Sequence, residues 1–125
     1  MRTHKLIIHG RLIGLNDYIR LCRGNKYSSA RWKKSLEGNI LLSIKTQLSG
    51  IQGINRAKLK FSWYEKDMRR DPDNVAFAKK FIEDALVTGG VLVNDGWKNI
   101  AGLSDEFHID SKNPRIEVEI VDLGE

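Results

Sequence analysis

The chain has 125 residues but only one cysteine, two prolines and three histidines. A lone Cys22 excludes an intramolecular disulfide framework, so nothing points to an oxidising compartment. No cysteine–histidine spacing matches a zinc site. No apolar stretch approaches the roughly 20 residues that a membrane-spanning helix needs. The chain opens without the cationic and apolar regions of a signal peptide, and the expected location is the cytoplasm. Internal repeats, low-complexity tracts and linkers are also missing. One domain over residues 1–125 is expected, large enough to bury a core without staples.

What is present is charge, unevenly placed. The formal net charge is +5. Between positions 20 and 34 lie Arg20, Arg23, Lys26, Arg31, Lys33 and Lys34, with no acid among them. Acidic residues gather instead at 65–73, at 83–95 and in the last 25 positions. A basic segment opposite a carboxylate cluster suits a protein that holds a phosphate backbone over metal ions. The same cations also suit an ordinary solvated surface.

Periodicity outlines the elements. "HKLIIHG" reads as a first strand. "LNDYIRLCRGNKYSS" lacks a clean period and reads as a loop with one helical turn. Ser28 or Ser29 is placed to cap a helix running to Ser49-Gly50, with Trp32, Leu36, Ile40 and Ile44 as its buried stripe. "KLKFSWYE" alternates Leu59, Phe61 and Trp63 against polar residues, as a half-buried strand does. Asp73 or Asn74 is the expected cap of a helix over 75–87 that Gly89-Gly90 closes. Val75, Ala78, Ile82, Ala85 and Leu86 form its apolar face, with Lys79 at the edge and Lys80 nearly opposite. "VLVND" reads as a short strand or arm, followed by strands over about 98–109 and "RIEVEIVDL". The expected fold class is α/β (α+β): a single small domain whose mixed β-sheet carries two main helices.

"RRDPDN", residues 69–74, is the densest charge signal. Pro72 forces Asp71 into an extended conformation. In extended backbone, residues two apart point the same way, so Asp71 and Asp73 can reach one cation. Magnesium takes hard oxygen ligands and keeps several waters, so one or two carboxylates suffice. Asp95, in a turn after the following helix, is the candidate third acid for a two-metal site. Lys80 can project toward the metal-bearing end and stabilise phosphoryl charge. The plainer reading is a turn, a helix cap and a solvated lysine. Trp32, Phe61 and Trp63 read as core, whereas Tyr18 and Tyr27 sit among basic residues as candidate DNA contacts.

"RRDPDNVAFAKKFIEDALVTGGVLVNDGW" resembles the RusA-type Holliday junction resolvases, the crossover junction endodeoxyribonucleases of bacteria and their phages. The likeness lies in an arginine-rich lead, D-x-D-N, a helical lysine, D-A-L near the helix end, and a glycine-hydrophobic run into an aspartate. It implies that Asp71, Asp73 and Asp95 are metal-binding and catalytic. Lys80 matches the catalytic lysine, counting back from Asp84-Ala85-Leu86. The chain departs from the family in a short insertion ahead of the lysine, which keeps Lys79 open, and in Asn94-Asp95 where many members carry two acids. Further implications are Mg2+ with Mn2+ as a substitute, a RusA-like fold, and a homodimer acting on branched DNA, the four-way junction. Paired symmetric nicks would leave 5′-phosphates, in DNA recombination and repair. Arg69 and Arg70 would grip neighbouring phosphates, and Arg20, Arg23, Lys26, Arg31, Lys33 and Lys34 would add sequence-independent affinity. The alternatives are a metal-dependent nuclease on other branched DNA, a junction-binding protein without catalysis, and a basic scaffold whose D-x-D is only a cap.

Overall fold

The computed structural model describes residues 2–24 and 26–124, and only the backbone of residues 26–29. In chain order the elements are β1 (Arg2–His9), α1 (Leu15–Arg23), α2 (Lys26–Gln47), β2 (Ala57–Glu65), α3 (Pro72–Ala76), α4 (Lys79–Thr88), β3 (Ile100–Ile109) and β4 (Arg115–Asp122). The sheet order is β1-β4-β2-β3. β4 is antiparallel to both neighbours, and β2 and β3 run parallel, so the sheet is mixed as expected.

Strand alternation decides which face is buried. Leu6 and Ile8 stand opposite Val118 and Ile116, which stand opposite Phe61 and Trp63 in turn. This face meets Leu36, Ile40, Ile44 and Leu48 of α2 and Ile82, Ala85 and Leu86 of α4. Burying such side chains contributes roughly 1.5–3 kcal/mol each before chain entropy is counted. The opposite face is polar: Lys5 pairs with Glu117 at 2.7 Å, and Arg115 lies 3.7 Å above the Tyr64 ring. Tyr64 in turn stacks on His108. All helical apolar positions named from the periodicity are buried except Trp32, which is half-buried and packs edge-on against Phe81.

Several local expectations need correction. Residues 15–23 form a nine-residue helix rather than a loop with one turn, and its Tyr18 packs on Phe77 and Phe81. α2 starts at Lys26, so the backbone of Ser28 and Ser29 lies inside it rather than ahead of it. Asp71, not Asp73 or Asn74, is the N-cap of the next helix: it is extended (φ −66°, ψ 154°) and Pro72 opens α3. The helix also does not run unbroken. Residues 77–78 form a tight turn, with Ala78 N–H donating to Val75 O and Phe81 N–H to Ala78 O. Gly90, at φ +81°, closes α4 in the left-handed conformation that glycine adopts without strain. Of the two readings of "VLVND" the arm holds: it contributes a single bridge, Leu92 to Ile54, while Val91 and Leu92 are buried.

Candidate active site

β3 is an edge strand, and the helices do not fully cover it. Leu103, Asp105, Phe107 and Ile109 stand opposite Leu59, Phe61, Trp63 and Glu65, so they share the helix-facing side of the sheet. Along that side, three clefts follow one another between β3 and the α3–α4 segment. The first, about 330 Å³, is lined by Asp71, Pro72, Val75, Phe107 and Ile109 among others. The second, about 480 Å³, is lined by Asp73, Ala76, Phe77, Lys79, Asp105 and Phe107 together with Pro72. The third, about 420 Å³, contains Glu83, Asp95, Trp97 and Leu103. The acids singled out from the sequence therefore lie along one trough.

Asp71 and Asp73 flank Pro72 at the mouth. The Asp71 carboxylate makes no capping hydrogen bond, and Asp73 Oδ1 accepts only the neighbouring Asn74 N–H, at 2.9 Å. Both are exposed. Asp105 is their half-buried neighbour across the cleft: Oδ1 accepts Trp63 Nε1–H at 2.8 Å, and Oδ2 accepts from Lys79 Nζ. Lys79 also lies 5.7 Å from the Phe61 ring centroid, so an aromatic shelf and one carboxylate fix its direction. The exposed Lys80 reaches Asp84 at 3.0 Å and Asp95 at 3.2 Å. Those two hydrogen bonds, Asp84's first, raise its pKa above the ordinary lysine value. Glu83 is buried beside Asp95; burial first, and the Asp95 charge second, push its carboxyl above the usual range.

The carboxylate oxygens of Asp71, Asp73 and Asp95 are of the class that a hard, oxygen-seeking cation takes. Among the described residues, no group of three His, Cys, Asp or Glu stands close enough to hold a metal ion unaided. The structure brings Asp73 together with Lys79 and Asp105, and Asp95 together with Lys80 and Glu83. It does not gather Asp71, Asp73 and Asp95 into one cluster. Exposed carboxylate pairs with free oxygens are still what Mg2+ uses, because it completes its shell with water and phosphate.

Sequence reasoning missed Asp105 and Glu83. A signal for the first was there: Asp105 occupies an inward position in the Leu103–Phe107–Ile109 alternation, where an acid needs a partner. Glu83 lies four residues after Lys79, one helical turn along the same face.

The arginines separate. Arg69 is largely exposed, with only a 3.8 Å approach to Asp67. Arg70 is turned inward: Nε and Nη2 donate to Glu65 at 2.9 and 2.8 Å, and Nη1 donates to Leu12 O at 2.9 Å. Every guanidinium nitrogen is already engaged, so Arg70 is an internal anchor rather than a phosphate clamp. Of the basic segment, Arg23, Arg31, Lys33 and Lys34 are exposed on α1 and α2, and Arg20 pairs with Asp17 at 2.8 Å. Lys33 also lies 5.6 Å from the Tyr18 ring centroid. The side chains of Lys26 and Tyr27 lie outside the described residues.

The loop that carries Asp71 and Asp73 is braced by the N-terminal end of α1. Asn16 N–H donates to Asn74 Oδ1 at 3.0 Å. A Cβ on Gly14 would stand 2.6 Å from that oxygen and 3.1 Å from Arg70 Nη1, both already held in place. Gly14→Ala is therefore expected to lower stability by about 1–3 kcal/mol, as overpacking does. It should also slow any reaction that depends on Asp73. An unchanged urea midpoint would show that the brace yields freely.

No helix among the described residues is long and apolar enough to cross a membrane. No curated protein matches the sequence. The family model described as endodeoxyribonuclease RusA matches residues 17–121, from α1 to β4, a range that includes the D-P-D-N loop, Lys79, Lys80 and Asp95. The chain belongs to the endodeoxyribonuclease RusA family, a family of hydrolases that are Holliday-junction-resolving endonucleases.

Proposed function

We propose that the protein is a Mg2+-dependent, structure-selective endodeoxyribonuclease that resolves four-way DNA junctions by paired symmetric nicks, in recombination and repair. The observation that carries this reading is the Asp71-Pro72-Asp73 turn opening onto a cleft that already holds Lys79 and Asp105.

In this reading Asp71 and Asp73 at the turn, and Asp95 farther along the trough, hold Mg2+, with Mn2+ as a substitute. The bound ion would lower the pKa of a water and offset charge on the scissile phosphate. The chain's own groups do the remaining work. Lys80 sits among Asp84 and Asp95, offsets their repulsion, and presents a cation to phosphoryl oxygens entering the trough. Asp105 holds Lys79 in the second cleft from its half-buried seat. Arg69 grips a neighbouring phosphate. Arg20, Arg23, Arg31, Lys33 and Lys34, with Lys26, add salt-sensitive affinity from α1 and α2. A four-way junction has two-fold symmetry, and a C2 homodimer would present two copies of this trough to it.

The test is cleavage of end-labelled four-way junction, flap and linear duplex DNA in Mg2+. Symmetric nicks with 5′-phosphates on the junction, and little cutting of the linear duplex, are expected. Equal cutting of all three substrates would make the protein a general nuclease, and junction binding without cutting would make it a binding protein.

Within the same assay, Lys80→Ala is expected to slow cleavage on the order of a hundredfold. It should do so far more than Lys79→Ala, because Lys80 alone reaches Asp95. The reverse order would transfer the charge-stabilising role to Lys79.

A further inference from the structure

Three polar or charged side chains are buried among the described residues: Glu65, Glu83 and Asn99. Two of them are satisfied. Glu65 accepts from Arg70 and Arg11, and Asn99 donates to Asn55 O at 2.8 Å. Glu83 is different. It is 8% exposed, and among the described residues it has neither a hydrogen bond nor an ion pair.

A buried carboxylate without a partner costs several kcal/mol unless it takes up a proton or a cation. Among the described residues no side-chain oxygen or nitrogen is sealed from solvent without a hydrogen-bond partner. The Glu83 oxygens therefore keep some exposure, and Glu83 lines the third cleft of the trough. Asp95 lines that cleft too. One of its oxygens accepts from Lys80, which leaves the other without a partner. The neighbouring lysines are committed elsewhere, Lys79 to Asp105 and Lys80 to Asp84 as well as Asp95.

We infer that Glu83 and Asp95 together hold a divalent cation of the hard, oxygen-seeking class in the cleft between α4 and β3, apart from the Asp71–Asp73 pair. Two carboxylates, with water filling the remaining positions, are the ligand set that a magnesium-sized ion takes. The inference deepens the function proposed above, in which Asp95 already binds metal. It adds a carboxylate from the helix and gives the trough two separate cation positions along β3.

Trp97 makes the site observable. It lines the same cleft and is 99% exposed. Tb3+ takes the same oxygen ligands and emits when it is bound near an excited indole. The experiment titrates Tb3+ into the full chain and into Glu83→Gln, Asp95→Asn, Asp73→Asn and Trp97→Phe, with circular dichroism as the check on folding. Saturable sensitised emission is expected from the wild type, displaced by millimolar Mg2+. Trp97→Phe should remove most of the emission. Glu83→Gln and Asp95→Asn should each weaken Tb3+ binding by at least about tenfold, as loss of a supporting ligand group does. Asp73→Asn should leave binding at this position unchanged.

Wild-type affinity in a folded Glu83→Gln chain would overturn the inference, since Glu83 would then be a protonated core acid. Emission lost with Asp73→Asn but kept with Glu83→Gln would also overturn it, placing the only cation at the D-P-D turn. The readout is binding, whereas the nuclease reading is decided by cleavage, so either can fail while the other stands.

Discussion

Asp73→Asn is expected to abolish Mg2+-dependent cleavage of a synthetic four-way junction, a loss of at least about a hundredfold, while binding persists or tightens. The substitution keeps shape and removes charge. Asn at position 73 still offers an oxygen to the Asn74 N–H, the one hydrogen bond that the carboxylate makes within the loop. Residue 73 lies in the first turn of α3, where losing an anion costs about 0.3–1 kcal/mol against the helix dipole, too little to unfold the domain. What disappears is a hard anionic oxygen beside Lys79 and Asp105, in the cleft where the scissile phosphate is proposed to lie. Removing a negative charge from that cleft weakens its repulsion of DNA, so a gel-shift assay should show equal or tighter binding. Cleavage at the wild-type rate by a folded Asp73→Asn chain would mean that the D-P-D turn is only a helix cap.

The parts of this architecture that were legible in the sequence are those in which one residue's environment repeats along an element. Leu36, Ile40 and Ile44 recur at one helical face, and Leu59, Phe61 and Trp63 at one strand face, so period and burial agree. Pro72 dictated an extended Asp71 whatever followed. Other features depended on contacts between distant segments. The 15–23 stretch is helical, and its Tyr18 packs on Phe77 and Phe81, about sixty residues later. Asp105 reads as an ordinary strand acid until Lys79 and Trp63 are seen to converge on it from α4 and β2. Arg69 and Arg70 look alike in sequence, and only the fold turns one outward and the other onto Glu65. The trough shows the same division. Asp71, Asp73 and Asp95 could be named from the sequence, but the placing of Asp73 with Asp105 and of Asp95 with Glu83 depends on where β3 runs along the helices.

Arg70→Ala is expected to destabilise the fold by about 3–5 kcal/mol, the loss that follows when one partner of a buried ion pair is removed. Glu65 sits at the end of β2 on the helix-facing side. It receives two hydrogen bonds from Arg70 and a longer one, 3.3 Å, from Arg11. Without Arg70 a nearly buried carboxylate keeps only that weaker interaction, and Leu12 O loses its donor as well. Against a typical total of 5–15 kcal/mol, the change leaves the chain close to unfolding. Arg70→Lys should recover little, because an ammonium on a flexible stem cannot reproduce a planar fork that serves three acceptor atoms at once. Arg69→Ala is the control. Its guanidinium is exposed, so the urea midpoint should not move, while the salt dependence of DNA binding should become shallower by about one neutralised phosphate. The two neighbours thus give opposite signatures: position 70 governs stability, and position 69 governs the grip on DNA. An Arg70→Ala chain that keeps the wild-type urea midpoint but shows the shallower salt slope would make Arg70 a DNA clamp after all, and its bonds to Glu65 dispensable to the fold.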